Sequence, residues 1–357
     1  MLKIRSKYIL KKIFQNIKQN KYLQLIKYYK KIQNKLDKSL EDYKGYNQIE
    51  IDLIPKSDNY NNIKFINVND NEKQYIHIFF NNNKNEGNSN FLESKPKIEK
   101  IKIKLDYEIK SLKGLFKNCE FLEEINFIKF NRKDIIDMSE MFNGCKNLNK
   151  INLLNIKTDK VKNMSYMFSG CSSLKEINLL TFITTNVINM QNMFEGCSKL
   201  EILNLLNFNT LNIINMSYMF SECSALQKIN LQHFNTSKVI NMSYMFYNCQ
   251  AINELNLSNF ITINVTNMIN MFDRCSNLNE LDISNFDIKN DTKIIYMFSR
   301  CKSYLKDKIR KSFKKINIAA FEDEVRDDFE FFYFDFRYFQ EDFDLPINLE
   351  EDNKIYY

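Results

Sequence analysis

NMSYMFSGCSSLKEINLLTF, residues 163–182, holds the pattern from which the rest of the chain can be read. Its cysteine is one of eight, Cys119, Cys145, Cys171, Cys197, Cys223, Cys249, Cys275 and Cys301, each 26 residues from the next. Met-Phe stands four and three residues before the cysteine in seven of the eight copies, and the first copy has Leu115-Phe116. A further Met precedes that pair by three residues at Met138, Met164, Met190, Met216, Met242 and Met268, so 13 of the 14 methionines follow the same period. A fixed period of this length is the mark of a repeat architecture, in which each unit is one structural turn.

Within the unit, L-x-x-I-x-L ends in strict alternation, which predicts a short strand with its Ile and Leu inward. The M-x-x-M-F-x-x-C stretch places apolar residues at i, i+3, i+4 and i+7, the spacing of a short helix or 3-10 turn on the opposite side. A single coil points about seven apolar side chains inward but has no second layer to bury them against. Stacking supplies that layer. Eight coils joined by parallel strand pairing then form an α/β solenoid on the order of 40 Å long, with one face of the sheet covering the core.

The units NMSYMFSGCSSLKEINLL and NMSYMFYNCQAINELNLSNF resemble the BspA-like leucine-rich repeats of bacterial surface proteins, mycoplasma proteins and protist families, over about residues 110–305. The family's V-T-N-M-x-x-M-F-x-x-C-x-x-L-x-x-L-[DN]-L-S-x-F fits Val265 to Phe286. The resemblance implies a leucine-rich-repeat-like fold, and for the secreted members an adhesin that binds host proteins.

The cysteine row has three readings. One thiol per coil, no C-x-x-C and no nearby His favour a stacked ladder of reduced, buried Cys119, Cys145, Cys171, Cys197, Cys223, Cys249, Cys275 and Cys301. Disulfides and a metal site are the competing readings. Asn163, Asn189, Asn215, Asn241 and Asn267 form another row, expected to satisfy loop backbone groups left unpaired between coils. Asn152, Asn178, Asn204, Asn230, Asn256 and Asp282 alternate with the inward strand residues and should face solvent. The next outward position reads Leu154, Leu180, Leu206, Gln232, Ser258, Ser284, apolar in the first coils and polar in the later ones. An exposed apolar row rimmed by polar groups marks an interface; the competing reading is that the chain's own N-terminal segment or tail covers the row. The candidate contact face is therefore Asn152, Leu154, Asn178, Leu180, Asn204, Leu206, Asn230, Gln232 and Asn256.

The flanks divide the chain further. Residues 1–55 read as an α-helical segment, with Ile9, Leu10, Ile13, Phe14 and Ile17 and then Leu23, Leu25, Ile26, Tyr29 and Ile32 at helical spacing. Ile9-Leu10, Ile13-Phe14, Leu23 and Tyr28-Tyr29 also give this segment a faint similarity to an F-box, although the family's opening Leu-Pro and its Trp are absent. The competing reading is a helical cap on the solenoid end. Residues 56–97 hold strand-like runs at Ile63–Val68 and Tyr75–Phe80 and the polar linker NNNKNEGNSN. The solenoid spans 98–305, beginning with the alternating Ile98–Leu105. A capping helix follows over 303–318, with Leu305, Ile309, Phe313 and Ile316 on one face, and an acidic aromatic tail fills 319–357.

The formal charge of +7 conceals an asymmetry: residues 1–44 carry 13 Lys/Arg against three acids, and residues 321–357 carry 13 acids against three bases. The start, MLKIRSKYILKKIFQNIKQN, reads as no signal peptide, and no stretch approaches a membrane span, so a cytoplasmic location is expected. The two histidines, His77 and His233, lie in a strand-like run and in a repeat slot otherwise filled by Asn or Thr. No P-loop, H-E-x-x-H, G-x-S-x-G or G-x-G-x-x-G occurs. The expectation is a non-catalytic interaction protein with no cofactor, no metal and no small-molecule substrate, whose partner is another protein and not a nucleic acid. The alternatives are an F-box-like substrate adaptor of a ubiquitin ligase and a surface adhesin.

Overall fold

The structure is a computed structural model that describes residues 38–56, 63–81, 97–313 and 316–323, with Lys27, Lys30, Gln33, Asn34, Asn83, Glu86, Gly87, Phe91 and Leu92 besides. Of the expected N-terminal helices, Lys27, Lys30, Gln33 and Asn34 are helical, and α1 (Leu40–Tyr46) follows, capped by Ser39, whose hydroxyl accepts from the Asp42 N–H. The remainder of that segment, the F-box-like positions and residues 324–357 of the tail lie outside the described residues.

From Cys119 to Cys301 the 26-residue units lie one on the next. The recurring phenylalanines record the stacking directly: Phe116, Phe142, Phe168, Phe194, Phe220, Phe246, Phe272, Phe298 and finally Phe321 form one column. Successive ring centroids are 5.3–6.0 Å apart, with interplanar angles of 4–21°. That is the offset-stacked arrangement preferred by the ring quadrupole. In the unit that starts at Val161, the side chains of Val161, Met164, Met167, Phe168, Cys171, Leu174, Ile177, Leu179 and Phe182 are all buried. Nine apolar residues per turn, sealed above and below by their copies, form the core.

The side carrying Met-Phe is not helical. Two positions per unit have positive φ, at Tyr166 (57°) and Gly170 (71°), and again at Tyr218 (57°) and Glu222 (60°). A left-handed residue every fourth position ends each helical turn before it can propagate. The spacing read as helical is instead a chain of tight turns whose backbone donors can be followed one by one. The N–H groups of Met164, Tyr166, Phe168 and Gly170 donate to the carbonyls of Asn189, Gln191, Met193 and Glu195 in the next unit. Those of Met167, Ser169 and Cys171 close local turns onto Met164, Tyr166 and Phe168, and that of Ser165 donates to the Asn163 side chain. No donor from Met164 to Cys171 is left over, as buried backbone requires. Parallel bridges run unbroken along this side, from Ser111–Asp137 through each Asn of the row to Asn267–Lys293.

The strand side is thinner than expected. Its strands are two or three residues long: β7 (Lys150–Asn152), β8 (Glu176–Ile177), β9 (Ile202–Leu203), β10 (Glu254–Asn256) and β11 (Glu280–Asp282). They pair in parallel as β8–β9 and β10–β11, with a lone Ile202–Lys228 bridge, so the expected continuous sheet is a set of fragments. The outward asparagines keep the strands short. Each accepts, through Oδ1, the N–H two residues on, as Asn178 does from Leu180 (3.1 Å), and this turn competes with the ladder for that donor.

The ends are closed differently from the sequence reading. Ile49–Pro55, placed in a helical segment, is strand β1; its I-E-I-D-L alternation buries Ile49, Ile51 and Leu53. With β2 (Ile63–Lys64), β3 (Ile76–Phe80), β4 (Phe91–Leu92), β5 (Ile101–Leu105) and β6 (Leu122–Lys129), it belongs to a β-structured N-terminal end. The five-stranded sheet has the order β3-β5-β1-β6-β7. β1 pairs antiparallel with β6, the strand of the first unit, and β6 pairs parallel with β7. The edge left open by the first turn is thus covered by a strand, and β5 belongs to this cap and not to the parallel stack. At the other end α2 (Ser303–Ser312) buries Leu305 and Ile309, with Phe313 and Ile316 packed against the core. A 3-10 turn at Ile318–Ala320 then accepts the Tyr296 and Phe298 N–H groups on Ala319 and Ala320, and Phe321 completes the ring column. Residues 319–323, assigned from sequence to the tail, are therefore part of the closure. Among the described residues no helix is long and apolar enough to cross a membrane.

Candidate functional site

The strand side presents the residues singled out as a contact face. Leu154, Leu180 and Leu206 are about half exposed (50%, 48% and 57%), and so is Ile128 (50%), which lies one period before Leu154 and had not been included in the row. The 26-residue count back from Leu154 was the signal that would have found it. Four consecutive units therefore carry an exposed aliphatic side chain at one position, and Ile202 (66% exposed) adds a fifth nearby. Inward neighbours such as Leu153, Leu179 and Leu205 are buried, so the outward set is left exposed by the alternation itself.

Asn152, Asn178, Asn204, Asn230 and Asn256 are exposed as expected, with Oδ1 occupied by the N–H of Leu154, Leu180, Leu206, Gln232 and Ser258. Beside them, Asn155, Asn207 and Asn259 reach back to carbonyls of the preceding unit, and His233 fills the same slot with Nε2 2.8 Å from the Leu205 carbonyl. His233 is thus a replacement in a structural row. The later units differ: Asn230, Gln232 and Asn256 line an open groove of about 930 Å³ against α2, with Leu281, Lys308 and Phe313 on its far side. Lys308 is ion-paired to Glu280 there. The nine candidate residues therefore divide into an apolar strip over the first units and polar side chains on the wall of a mixed groove over the last.

The eight cysteines are free and buried. From Cys145 on, each Sγ lies 3.0–3.2 Å from the carbonyl of the phenylalanine 29 residues earlier, as Cys171 does from Phe142. The thiol proton is donated to that carbonyl, which ties each unit to the one before. Burial pushes the thiol pKa values up, to about 12 for Cys119, Cys197 and Cys301, so the thiols are protonated near neutral pH. Among the described residues no group of three or more His, Cys, Asp or Glu side chains could hold a metal ion.

Through Oδ1 the Asn163 row acts within its own unit, and Asn215 Nδ2 also donates to Gln191 Oε1 of the preceding unit. Oδ1 of Asn163, Asn189, Asn215, Asn241 and Asn267 accepts the N–H two residues on, while the main chain of the same residues makes the bridges between units. A second row, unnoticed in the sequence, does join the units through side chains. Thr158, Thr184, Thr210, Thr236 and Thr262 are buried, and each Oγ1 donates to the carbonyl 25 residues on and accepts the N–H of that same residue, as Thr184 does with Asn209 (2.9 and 2.7 Å). Their 26-residue spacing was visible; the sulfur and leucine pattern overshadowed it. The other histidine, His77, sits in β3 between Glu86 (2.9 Å) and Asp106 (3.0 Å). Burial would lower its pKa, but the two carboxylates outweigh that and raise it.

A family model described as "Mycoplasma protein of unknown function, DUF285" matches residues 110–230 and 215–328. No curated protein matches the chain. Among solved structures, the chain is similar to one titled "Crystal structure of T. pallidum Leucine Rich Repeat protein", with 19% identity and a TM-score of 0.31, over 56% of this chain and 92% of that one.

Proposed function

The chain belongs to the family described as mycoplasma proteins of unknown function, DUF285, and from that premise we propose that it is a non-catalytic, BspA-like leucine-rich-repeat solenoid that binds another protein through its strand side. The observation that carries this reading is the strip of half-exposed aliphatic residues, Ile128, Leu154, Leu180 and Leu206, repeated over four consecutive units. Folding alone gives no reason for it, since the same position is Gln232, Ser258 and Ser284 in later units that stack equally well. Removing such a side chain from water contributes roughly 25 cal/mol per Å² of apolar surface, so a partner covering the strip gains several kcal/mol before any polar contact forms. The non-catalytic part of the reading rests on the thiols, which are protonated and bonded to carbonyls, and on His233, which serves as a structural link. A photo-crosslinking amino acid placed at position 180, with position 258 as the comparison site, tests the assignment. Protein adducts are expected at 180 and should be scarce at 258. Equal yields at both positions would remove the strip from the account.

A further inference from the structure

Four residues before each member of the apolar strip stands a second outward row: Glu124, Lys150, Glu176 and Ile202. Strand registers pair Glu124 with Lys150 and Glu176 with Ile202, and the 26-residue period sets the second pair beyond the first. Between the two rows lie Asn126, Asn152, Asn178 and Asn204. When the order of the units is reversed, as a twofold axis lying across the face between the Leu154 and Leu180 units does, the apolar and asparagine rows match themselves and the outer row brings Lys150 to Glu176, leaving Glu124, ion-paired to Lys150 of its own chain, opposite Ile202. Ile128 then meets Leu206, and Leu154 meets Leu180. Asn152 meets Asn178, amide to amide. Lys150 meets Glu176, and the symmetry repeats that pair.

Charge selects this register among its neighbours. Moving the axis half a unit toward the N-terminus sets Lys150 on its own copy and Glu124 on Glu176. Moving it half a unit the other way sets Glu176 on its own copy and Leu154 and Leu206 on each other, with Ile128 left against Gln232. A shift of a full unit toward the C-terminus puts Lys150 on Lys228. Only the axis between Leu154 and Leu180 brings all four aliphatic residues together with no like charges opposed in the three rows, and opposed like charges act against the alternatives.

We propose that the occupant of the strip is a second copy of this chain, docked face to face and antiparallel across the strand side. The inference rests on the reading of the strip as a contact face and names its partner. Sedimentation of the full chain over a range of concentrations tests it. A reversible dimer is expected. Lys150→Glu or Glu176→Lys alone places a like-charged pair on both sides of the axis and should weaken the dimer about tenfold or more. The double variant, Lys150→Glu with Glu176→Lys, restores both pairs and should restore the dimer. Both side chains are exposed, and an unchanged thermal transition will show that each variant folds. A chain that stays monomeric throughout overturns the proposal, as does a dimer indifferent to the single changes or one that the double change fails to rescue. A monomer whose position 180 still crosslinks to a different protein overturns self-pairing and leaves the contact face standing; a monomer with no adduct there removes both.

Discussion

The two sides of the repeat unit satisfy the same backbone by opposite means. On the side from Met164 to Cys171 every donor is engaged, four of them with the next unit, while the apolar side chains between them are shut away completely. On the side from Glu176 to Phe182 the ladder lasts two residues before an Asn side chain takes the next donor, and the outward Leu180 stays half exposed. One side joins units to one another. The other spends less of its hydrogen-bonding capacity on the stack and leaves side chains facing outward. The difference teaches where a repeat protein can vary: a position whose side chain is sealed between its copies is held to type, and a position turned away from the stack is free to become Leu, Gln or Ser.

The comparison can be broken most severely with alkali. Thiols whose pKa is raised in the folded chain, to about 12 at Cys197, ionise earlier once unfolded, near the ordinary thiol value of about 8.5. Below that value both states are protonated and the thiols leave stability unchanged. Above it the unfolded state alone loses protons, so stability falls by roughly 1.4 kcal/mol per pH unit for each buried thiol until the folded pKa is reached. Eight such groups should produce a collapse of the thermal transition temperature a little above pH 9. Calorimetry across pH 7–11 checks this, and a shallow profile would contradict the sealed side.

A ring removed from the column comes next. Phe220 stacks on Phe194 and Phe246, so Phe220→Ala should lower unfolding free energy by about 3–5 kcal/mol in urea titration. Thr210→Val is smaller: it strands the Asn235 carbonyl and N–H, which Thr210 Oγ1 serves at 3.0 and 2.7 Å, for a loss of about 1–3 kcal/mol. Leu180→Ala is the smallest, within about 0.5 kcal/mol, because the side chain is already half in water. If Leu180→Ala cost as much as Phe220→Ala, the division between the two sides would not hold.

Much of the sealed side was legible. Met164, Met167, Phe168 and Cys171 announce themselves as core by recurring without slip, and only a buried row has reason to be so uniform. Their local conformation was not legible. Apolar residues at i, i+3, i+4 and i+7 fit a helix, and they fit equally well a chain turned left-handed at Tyr166 and Gly170, because both bring those four side chains inward. Of the contact strip, Leu154, Leu180 and Leu206 could be read from alternation, whereas Ile128, in the first of the eight units, was left out of the row although it stands 26 residues before Leu154. The N-terminal cap went unread because Ile49–Pro55 follows a helical pattern closely, and its partner β6 is some 70 residues away, beyond the reach of any local signal.

The sequence by itself determined the period, the inward set and the identity of the columns, since a turn that repeats every 26 residues must superpose each residue on its own kind. Tertiary structure alone decided which backbone groups join the units and how the ends are closed. Those choices depend on φ at single residues, of which Gly144, Gly170 and Gly196 are the only mark in the spacing, and on strands brought together from distant parts of the chain, whose pairing no local pattern fixes.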